Sequence, residues 1–196
     1  MKIEINVPDG ISGDWKVESF TVSKEDSKLA GLRNIFSASR RGALPAGDYK
    51  KLSRNGTMIM SNTPDEISDF SCFAYMATGH ILINGLGIGV LVKALLEKKE
   101  VLSITIIEKS DDVIKLSGPT YLKDKRVTII NADAFNYSPP LGVRYNYVWH
   151  DIWDDITSDN LPEMHKLHRK YGKRCDHQES WCRYRCEQQK KQDRYY

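Results

Sequence analysis

Cysteine, net charge and long apolar runs are all scarce in this 196-residue chain. Four cysteines are too few for a small disulfide-bonded scaffold, so we expect reduced thiols and a cytoplasmic protein. A formal net charge of +3 does not by itself indicate a nucleic-acid partner. The length is sufficient for one domain with a sizeable core and a small additional region.

The longest apolar run, ILINGLGIGVLV at residues 81–92, is interrupted by three glycines. It is shorter than the roughly 20 residues that a membrane span requires. The first ten residues, MKIEINVPDG, include acidic residues and no apolar core, so we expect no signal peptide. The sequence therefore predicts a protein with no membrane partner.

The first part of the chain, residues 1–62, is predicted to be a small β-rich region with one helix. Alternating apolar and polar residues indicate half-buried strands at Lys2–Val7 and Trp15–Val22. A capping-box pattern predicts a helix over residues 24–37. The Asn55-Gly56 pair predicts a hairpin turn between two further strands.

Residues 63–196 are predicted to form a Rossmann-like parallel sheet flanked by helices, in an α/β fold. Buried apolar segments alternate with helical segments there, which is the pattern of βαβ units. The predicted strands are 81–84, 102–107, 127–130 and 145–149, and the predicted helices are 64–78, 90–98, 111–116, 160–171 and 179–189. No strand is predicted after the fourth one.

Gly85, Gly87 and Gly89 lie between the first predicted strand of this sheet and a helix. Glycine allows a tight turn at such a point and lets a ligand lie against bare backbone. The same spacing also serves close packing of a helix on a strand, so it does not identify a ligand site alone. The spacing G-x-G-x-G differs from the G-x-G-x-x-G of dinucleotide sites, and the sequence has no P-loop motif.

Acidic residues stand at the ends of the other predicted strands. Glu108 ends the second strand, where a carboxylate can accept hydrogen bonds from both ribose hydroxyls. Asp133 follows the third strand, where it can accept from an adenine amino group, and Asp151 follows the fourth. Ligands of open parallel sheets bind at the carboxyl ends of the strands. Together with the glycines, these carboxylates predict a site for a nucleoside-containing ligand.

Over residues 57–156 these motifs resemble those of the class I S-adenosylmethionine-dependent methyltransferases and the related spermidine-synthase-like enzymes. More narrowly, GTMIMSNTPDEISDF, ILINGLGIGVLVKALL and WHDIWDDITSDNLPEMHKLH are similar to segments of small methyltransferase-like proteins, many of them encoded by bacteriophages. The resemblance implies a transferase that binds S-adenosyl-L-methionine and methylates an unidentified acceptor, such as a small molecule, in the cytoplasm (of the host, if a phage encodes it). The cofactor-binding residues it implies are Asn84, Gly85, Gly87, Gly89, Glu108, Asp133 and Ala134.

In the family that the chain resembles, the glycines approach the methionine and ribose parts of the cofactor. Glu108 would hold the ribose, and Asp133 with Ala134 would hold the adenine edge. The superfamily usually has an acidic residue at the position of Asn84, and an amide cannot neutralise the positive charge of the cofactor. The family also has seven strands where four are predicted here, so the N-terminal strands or a second copy in a homo-oligomer would cover the open edge.

His150 and Asp151 are the predicted catalytic residues. Methyl transfer depends largely on positioning, and a general base is needed only for some acceptors. Asp151 would face the reacting end of the cofactor. Trp149 and Trp153 either line an acceptor pocket, where their rings attract a cation, or belong to the core. Residues 154–155, both Asp, are expected in a solvated turn.

Two kinds of DNA methylation are disfavoured by the residues at the end of the fourth strand. Enzymes that methylate amino groups of DNA carry Asp/Asn-Pro-Pro-Tyr/Phe there, whereas this chain has His-Asp-Ile-Trp. The SPPL segment at residues 138–141 precedes the strand and is predicted to be a loop. The Pro-Cys pair of a cytosine-C5 nucleophile is missing at this position as well.

The sequence leaves two alternative functions open. TPDEISDF at residues 63–70 resembles the helix before the first motif of spermidine synthases, where acidic residues help to bind the amine. Asp65, Glu66 and Asp69 would then bind an amine for aminopropyl transfer, although Asp65 and Glu66 also simply suit a helix N-terminus. The other alternative is a catalytically inactive binding or assembly protein, which Asn84 and the short sheet favour.

The C-terminal part of the sequence gives weaker indications. Four potential zinc ligands lie close together there: Cys175, His177, Cys182 and Cys186. Their spacing matches no structural-zinc pattern, buried packing of the thiols is favoured, and we predict no metal site. His165 and His168 lie on a basic helix, which favours a solvated face over a phosphate-contacting one. The tail at residues 183–196 has five basic and two acidic residues and supports a nucleic-acid partner only weakly.

Overall fold

The computed structural model describes residues 2–29 and 44–193. Nine strands are described: β1 (Gly10–Ser12), β2 (Trp15–Val22), β3 (Gly47–Arg54), β4 (Thr57–Ser61), β5 (Gly79–Asn84), β6 (Val101–Glu108), β7 (Val127–Asn131), β8 (Tyr145–His150) and β9 (Cys175–Ser180). The first four form an antiparallel sheet in the order β1-β2-β3-β4. The other five form a parallel sheet in the order β7-β6-β5-β8-β9.

Five helices accompany these sheets in the described residues: α1 (Pro64–Met76), α2 (Val90–Leu96), α3 (Asp111–Tyr121), α4 (Leu161–Tyr171) and α5 (Arg183–Gln192). Single 3₁₀ turns at Ser158–Asn160 and Gly172–Arg174 flank α4. Residues 24–29 are also helical, and the rest of the helix predicted over residues 24–37 lies outside the described residues. No described helix is both long and apolar enough to cross a membrane.

The predicted fold class is confirmed. Strands β5, β6, β7 and β8 occur where the apolar segments predicted them, and they pair in parallel. Ile81 and Ile83 of β5 pack on one face of the sheet, in the cluster that contains residues of α1 and α2. Leu82, between them, packs on the other face with residues of β8 and α4. Both faces of the sheet are thus buried, as expected for parallel strands.

The prediction that no strand follows β8 is wrong. β9 pairs in parallel with β8, from Tyr145↔Cys175 to His150↔Ser180. Its sequence, CDHQES, is polar and has no apolar alternation, because an edge strand is held by backbone hydrogen bonds to one neighbour and buries few side chains. The helix predicted over residues 179–189 accordingly begins later, at Arg183.

The N-terminal region also differs from its prediction at one point. The Lys2–Val7 segment buries Ile3, Ile5 and Val7 on one side as expected, but it joins neither sheet. Asn62 holds it instead, donating from Nδ2 to the Ile3 carbonyl at 2.9 Å. The predicted hairpin turn is confirmed, with positive φ at Asn55 and Gly56 between β3 and β4.

The antiparallel sheet packs against the parallel-sheet half of the molecule. Val17 of β2 and Leu52 of β3 are fully buried in the same apolar cluster as Ile81 and Ile83. At the other end, Ser12 donates a 2.6 Å hydrogen bond to Asp112 of α3. This sheet does not extend the parallel sheet, whose two edges are β7 and β9.

Candidate functional site

The carboxyl ends of β5, β6, β7 and β8 bring most of the predicted site residues to one cavity. The cavity has a volume of about 500 Å³. Of the predicted site residues, the cavity lining includes Gly85, Gly87, Glu108, Asp133, Ala134 and Asp151. Asn84, Gly89 and His150 are not among its lining residues. This placement follows from topology, because parallel strands on either side of β5 end at the same edge of the sheet.

All three glycines of the loop after β5 have a positive φ, so the backbone there favours glycine. A Cβ atom at Gly85 would lie 1.9 Å from the backbone oxygen of Asp151. At Gly87 it would lie 1.9 Å from the Met60 sulfur, and at Gly89 2.2 Å from the ring of Tyr121. At Gly85 and Gly89 close packing on backbone and on an aromatic ring therefore already requires glycine, whereas at Gly87 the close atom belongs to a flexible side chain and the positive φ favours glycine.

Glu108 fixes the glycine loop and lines the cavity. Its Oε2 accepts a hydrogen bond from the Leu86 amide at 2.8 Å, and its Oε1 accepts one from the Ser110 amide at 2.8 Å. Each carboxylate oxygen has two lone pairs, so each can accept a second hydrogen bond from a hydroxyl group. Glu108 thus connects the loop after β5 to the end of β6 and keeps acceptor capacity for a ligand.

Asp133 is oriented by its own turn and by a lysine. Its Oδ1 accepts from the Phe135 amide at 2.8 Å, and its Oδ2 pairs with Lys109 Nζ at 3.0 Å. The backbone hydrogen bond, together with Lys109, lowers the pKa of Asp133, so this carboxylate is ionised at neutral pH. Ala134, next to it, is buried, and its carbonyl accepts a 2.8 Å hydrogen bond from the Tyr171 hydroxyl.

All four tryptophans of the chain line the cavity: Trp15, Trp149, Trp153 and Trp181. Trp149 is also core, since it is 2% exposed and its ring packs on Phe73 with 4.9 Å between centroids. The interpretation of Trp149 as a core residue is therefore confirmed, while its role in an acceptor pocket stays a prediction. Trp15 and Trp181 belong to β2 and to the turn after β9, and sequence reasoning did not include them in the site.

Carboxylates outnumber basic groups in the cavity lining. The acidic lining residues are Glu66, Glu108, Asp133, Asp151, Asp154 and Glu163, and the basic ones are Arg54 and Lys109. Lys109 pairs with Asp133, and Arg54 pairs with Asp154 while its guanidinium lies 5.1 Å from the centroid of the Trp15 ring. An excess of negative charge among aromatic rings favours a positively charged ligand.

Asp151 has a strongly perturbed carboxyl group. Burial raises its pKa to about 7, and the nearby carboxylates of Glu66 and Asp69 also raise it. The Trp149 Nε1–H donates to Asp151 Oδ2 at 3.4 Å, which favours the ionised form and opposes these effects. A carboxyl group with this pKa changes its protonation near neutral pH, as a general acid or base must.

Asn84 and His150 lie behind the cavity in a buried polar network. Both side chains are 0% exposed, and Asn84 Nδ2 lies 2.7 Å from His150 Nδ1. His150 Nε2 lies 3.2 Å from Gln178 Oε1, and Gln178 Nε2 donates to the His168 carbonyl at 2.9 Å. Among the described residues, Asn84 Oδ1 has no hydrogen-bond partner although it is buried.

This burial limits what the Asn84 side chain can contribute to the cavity. Ile83, the preceding residue of β5, lines the cavity. Since successive side chains of a strand point to opposite faces, Asn84 points away from the cavity. Burial lowers the pKa of His150 to about 3, so its imidazole is neutral at physiological pH. Neither side chain therefore brings charge to the cavity.

The three acidic residues of the TPDEISDF segment lie in different environments. Glu66 lines the cavity and accepts from the Ser61 amide and hydroxyl at 2.7 and 2.9 Å. Asp69 is close enough to Asp151 to raise its pKa and pairs with Arg185 at 2.9 Å. Asp65 is exposed in the first turn of α1.

The potential zinc ligands are dispersed over separate parts of the fold. Cys175 and Cys186 are buried in two different apolar clusters, and Cys182 directs its sulfur to Asp69 at 3.2 Å. Cys182 also precedes α5 with a positive φ, so it lies outside the helix that contains Cys186. In the part of the chain that the structure describes, no group of three or more His, Cys, Asp or Glu could hold a metal ion.

Comparisons with known proteins give likeness of fold. No protein-family model matches the chain, and no curated protein matches it. Solved structures with a similar arrangement include the N-methyltransferase NodS from Bradyrhizobium japonicum, with 12% identity over 55% of this chain and 56% of that one and a TM-score of 0.42. NodS has also been solved in complex with S-adenosyl-L-homocysteine.

Two further structures extend this comparison. Spermidine synthase from Thermotoga maritima is 15% identical over 88% of this chain and 54% of that one, with a TM-score of 0.49. A dimethyladenosine transferase from Plasmodium falciparum is 17% identical over 54% of this chain and 37% of that one, with a TM-score of 0.42. The chain spans about half the length of NodS and of the spermidine synthase.

Proposed function

We propose that this protein binds S-adenosyl-L-methionine at the carboxyl edge of the parallel sheet and transfers its methyl group to an acceptor. The observation that carries the proposal is the convergence of the glycine loop, Glu108 and Asp133 on one cavity. The cavity volume of about 500 Å³ lies in the range of cofactor sites. Its excess of carboxylates suits a cofactor that bears positive charge.

The residues of the cavity fit this cofactor. Glu108 would hold the ribose hydroxyls with the acceptor capacity that the Leu86 and Ser110 amides leave. Asp133 and Ala134 would hold the adenine edge. When bound, S-adenosyl-L-methionine supplies a methyl group activated by a positively charged sulfur.

Asp151 is the residue that we assign to proton transfer from the acceptor. It lines the cavity, and its pKa of about 7 places it near the point where it can accept a proton at neutral pH. Trp149 orients the carboxylate through its Nε1–H. His150 is buried behind the cavity and contacts Asn84 and Gln178, so we assign it a positioning role.

Isothermal calorimetry with S-adenosyl-L-methionine and S-adenosyl-L-homocysteine tests the proposal. We expect the wild type to bind both, and Glu108→Ala to bind about 10- to 100-fold more weakly, because charge-assisted hydrogen bonds to the ligand are lost. Glu97→Ala is the control, since Glu97 is an exposed carboxylate at the end of α2 that pairs with Lys93. Thermal unfolding of each variant establishes that it is folded. No heat with either ligand in the wild type contradicts the proposal.

Aminopropyl transfer is the second candidate function, and the placement of Glu66 and Asp69 favours it. Both carboxylates raise the pKa of Asp151, so they lie close to it. Three acidic groups near the predicted reacting end would suit an amine acceptor. The same calorimetry with decarboxylated S-adenosylmethionine separates the candidates. Tighter binding of the decarboxylated cofactor would favour aminopropyl transfer, and tighter binding of S-adenosyl-L-methionine would favour methyl transfer.

The hypothesis that the chain is an inactive binding or assembly protein has less support from the structure than from the sequence. That hypothesis depended on a short sheet and on Asn84, but the sheet has a fifth strand and the Asn84 side chain does not line the cavity. We therefore retain a transferase as the proposal. A small-molecule acceptor, a homo-oligomer, a nucleic-acid partner, a bacteriophage origin and a cytoplasmic location remain predictions from the sequence.

A further inference from the structure

Met60 of β4 reaches from the antiparallel sheet into the glycine loop. The Ile88 amide donates a hydrogen bond to the Met60 sulfur over 3.2 Å. The same sulfur would lie only 1.9 Å from a Cβ atom at Gly87. Met60 is half-buried and lines the cavity. The thioether therefore covers the part of the loop that faces the candidate cofactor site.

A β-bulge directs Met60 to this position. Leu52 pairs with Met60 and Ser53 pairs with Met58, so Ile59 is an extra residue on β4. Successive residues of a regular strand point to opposite faces, yet Ile59 and Met60 both line the cavity. Bulges redirect side chains in this way and occur frequently next to active sites.

The two hydrogen bonds that the loop amides donate differ in strength. The Leu86 amide has a carboxylate oxygen of Glu108 as its acceptor, whereas the Ile88 amide has a thioether, which is a weak acceptor. The Ile88 carbonyl is held separately, by the Tyr121 hydroxyl at 2.6 Å. The loop can therefore keep its conformation when the Met60 side chain moves away, and Met has three rotatable bonds with which to move.

We propose that Met60 is a placeholder on the Ile88 amide, which the carboxylate of the bound cofactor displaces, and that Met60 thereby sets cofactor affinity. The proposal rests on the proposed function. Glu108 accepts hydrogen bonds and suits ribose hydroxyls, whereas the Ile88 amide donates one and suits an acceptor on the ligand. The strongest acceptor of S-adenosyl-L-methionine and S-adenosyl-L-homocysteine is the carboxylate of the amino-acid end.

Calorimetry with S-adenosyl-L-homocysteine and 5′-methylthioadenosine tests this inference, because only the first ligand has a carboxylate. We expect Met60→Ala to bind S-adenosyl-L-homocysteine about 10-fold more tightly than the wild type. For 5′-methylthioadenosine we expect no gain. Met58→Ala is the matched control, since Met58 lies on the same strand, is 55% exposed and does not line the cavity. Met60→Leu keeps the bulk and removes the sulfur acceptor.

Hydrogen exchange in the absence of ligand gives an independent measurement. The Ile88 amide should exchange faster in Met60→Leu than in the wild type and Met58→Ala, because leucine offers no acceptor. Equal exchange of this amide in all three proteins would overturn the inference.

The binding results separate the two proposals. If Met60→Ala binds S-adenosyl-L-homocysteine as the wild type does or more weakly, Met60 is a wall of the cavity and the placeholder is rejected, while the proposed function stands. An equal gain for both ligands also rejects it, since the carboxylate would then play no part. If the wild type and every variant fail to bind, the proposed function fails together with the placeholder.

Discussion

Replacing Gly85 with alanine is expected to destabilise the protein by about 4 kcal/mol or more, which is in the range of the most severe single substitutions. A Cβ atom there would lie 1.9 Å from the Asp151 backbone oxygen, so either β5 or the loop after β8 must move. The positive φ of 101° adds strain for any residue with a Cβ atom. The same contact joins the glycine loop to Asp151, so the variant should also lose ligand binding.

Gly142→Ala is the control for this prediction. Gly142 also has a positive φ, of 81°, but a Cβ atom there meets no described atom within 4 Å. We therefore expect only the backbone cost, about 1–2 kcal/mol. Urea unfolding followed by circular dichroism measures both variants. Equal destabilisation of the two would show that the contact with Asp151 does not limit the packing of the loop.

Asp151→Asn is expected to stabilise the protein at pH 8 by about 4 kcal/mol and to have little effect at pH 4. The folded state raises the pKa of Asp151 from 3.8 to about 7, chiefly through burial. The folded state therefore binds a proton more readily than the unfolded state, and stability falls as pH rises from about 4 to 7. Asparagine is not ionised, so the variant avoids this loss.

Two histidines act in the opposite direction over the same pH range. Burial lowers the pKa of His150 from 6.5 to about 3 and that of His168 to about 4. The unfolded state then binds protons that the folded state excludes, so stability falls as pH decreases below 6.5. In the wild type, the proton taken up by Asp151 offsets part of this loss. Asp151→Asn should therefore lose stability more steeply than the wild type between pH 6.5 and 4.

Urea unfolding at pH 8, 6.5, 5 and 4 measures this effect. Asp155→Asn is the control, since Asp155 is an exposed carboxylate of the same loop and does not line the cavity. We expect its stability to follow that of the wild type. A constant difference between Asp151→Asn and the wild type at all four pH values would contradict the assigned pKa.

The site residues at the ends of the parallel strands were predictable from the sequence. The cavity-lining residues that the antiparallel sheet contributes were not. Glu108 and Asp133 could be located because each follows an apolar segment that makes a buried strand, and parallel strands end at one edge. β9 could not, because a polar edge strand leaves no periodicity in its sequence. Met60 and Arg54 enter the site through packing of a second sheet, which no local pattern records.

Asn84 shows a different limit of sequence reasoning. Its position next to Gly85 indicated a residue of the site, but the direction of its side chain depends on the alternation of β5. That alternation turns Ile83 to the cavity and Asn84 to the network with His150. An apolar segment such as ILIN is buried on both faces, so its sequence does not tell which side chains line the cavity.

The hydrogen bonds of the network behind the cavity all run in one direction. The His168 carbonyl, which is the last acceptor, fixes that direction. A carbonyl can only accept, so Gln178 must offer it Nε2 and keep Oε1 for His150. His150 must then carry its proton on Nε2, and its Nδ1 takes a hydrogen from the Asn84 amide group. The chain of donors thus runs from β5 through β8 to β9 in one direction. At the β5 end of the network, Asn84 Oδ1 accepts no hydrogen bond from any described residue. This unpaired oxygen lies one residue before the glycine loop.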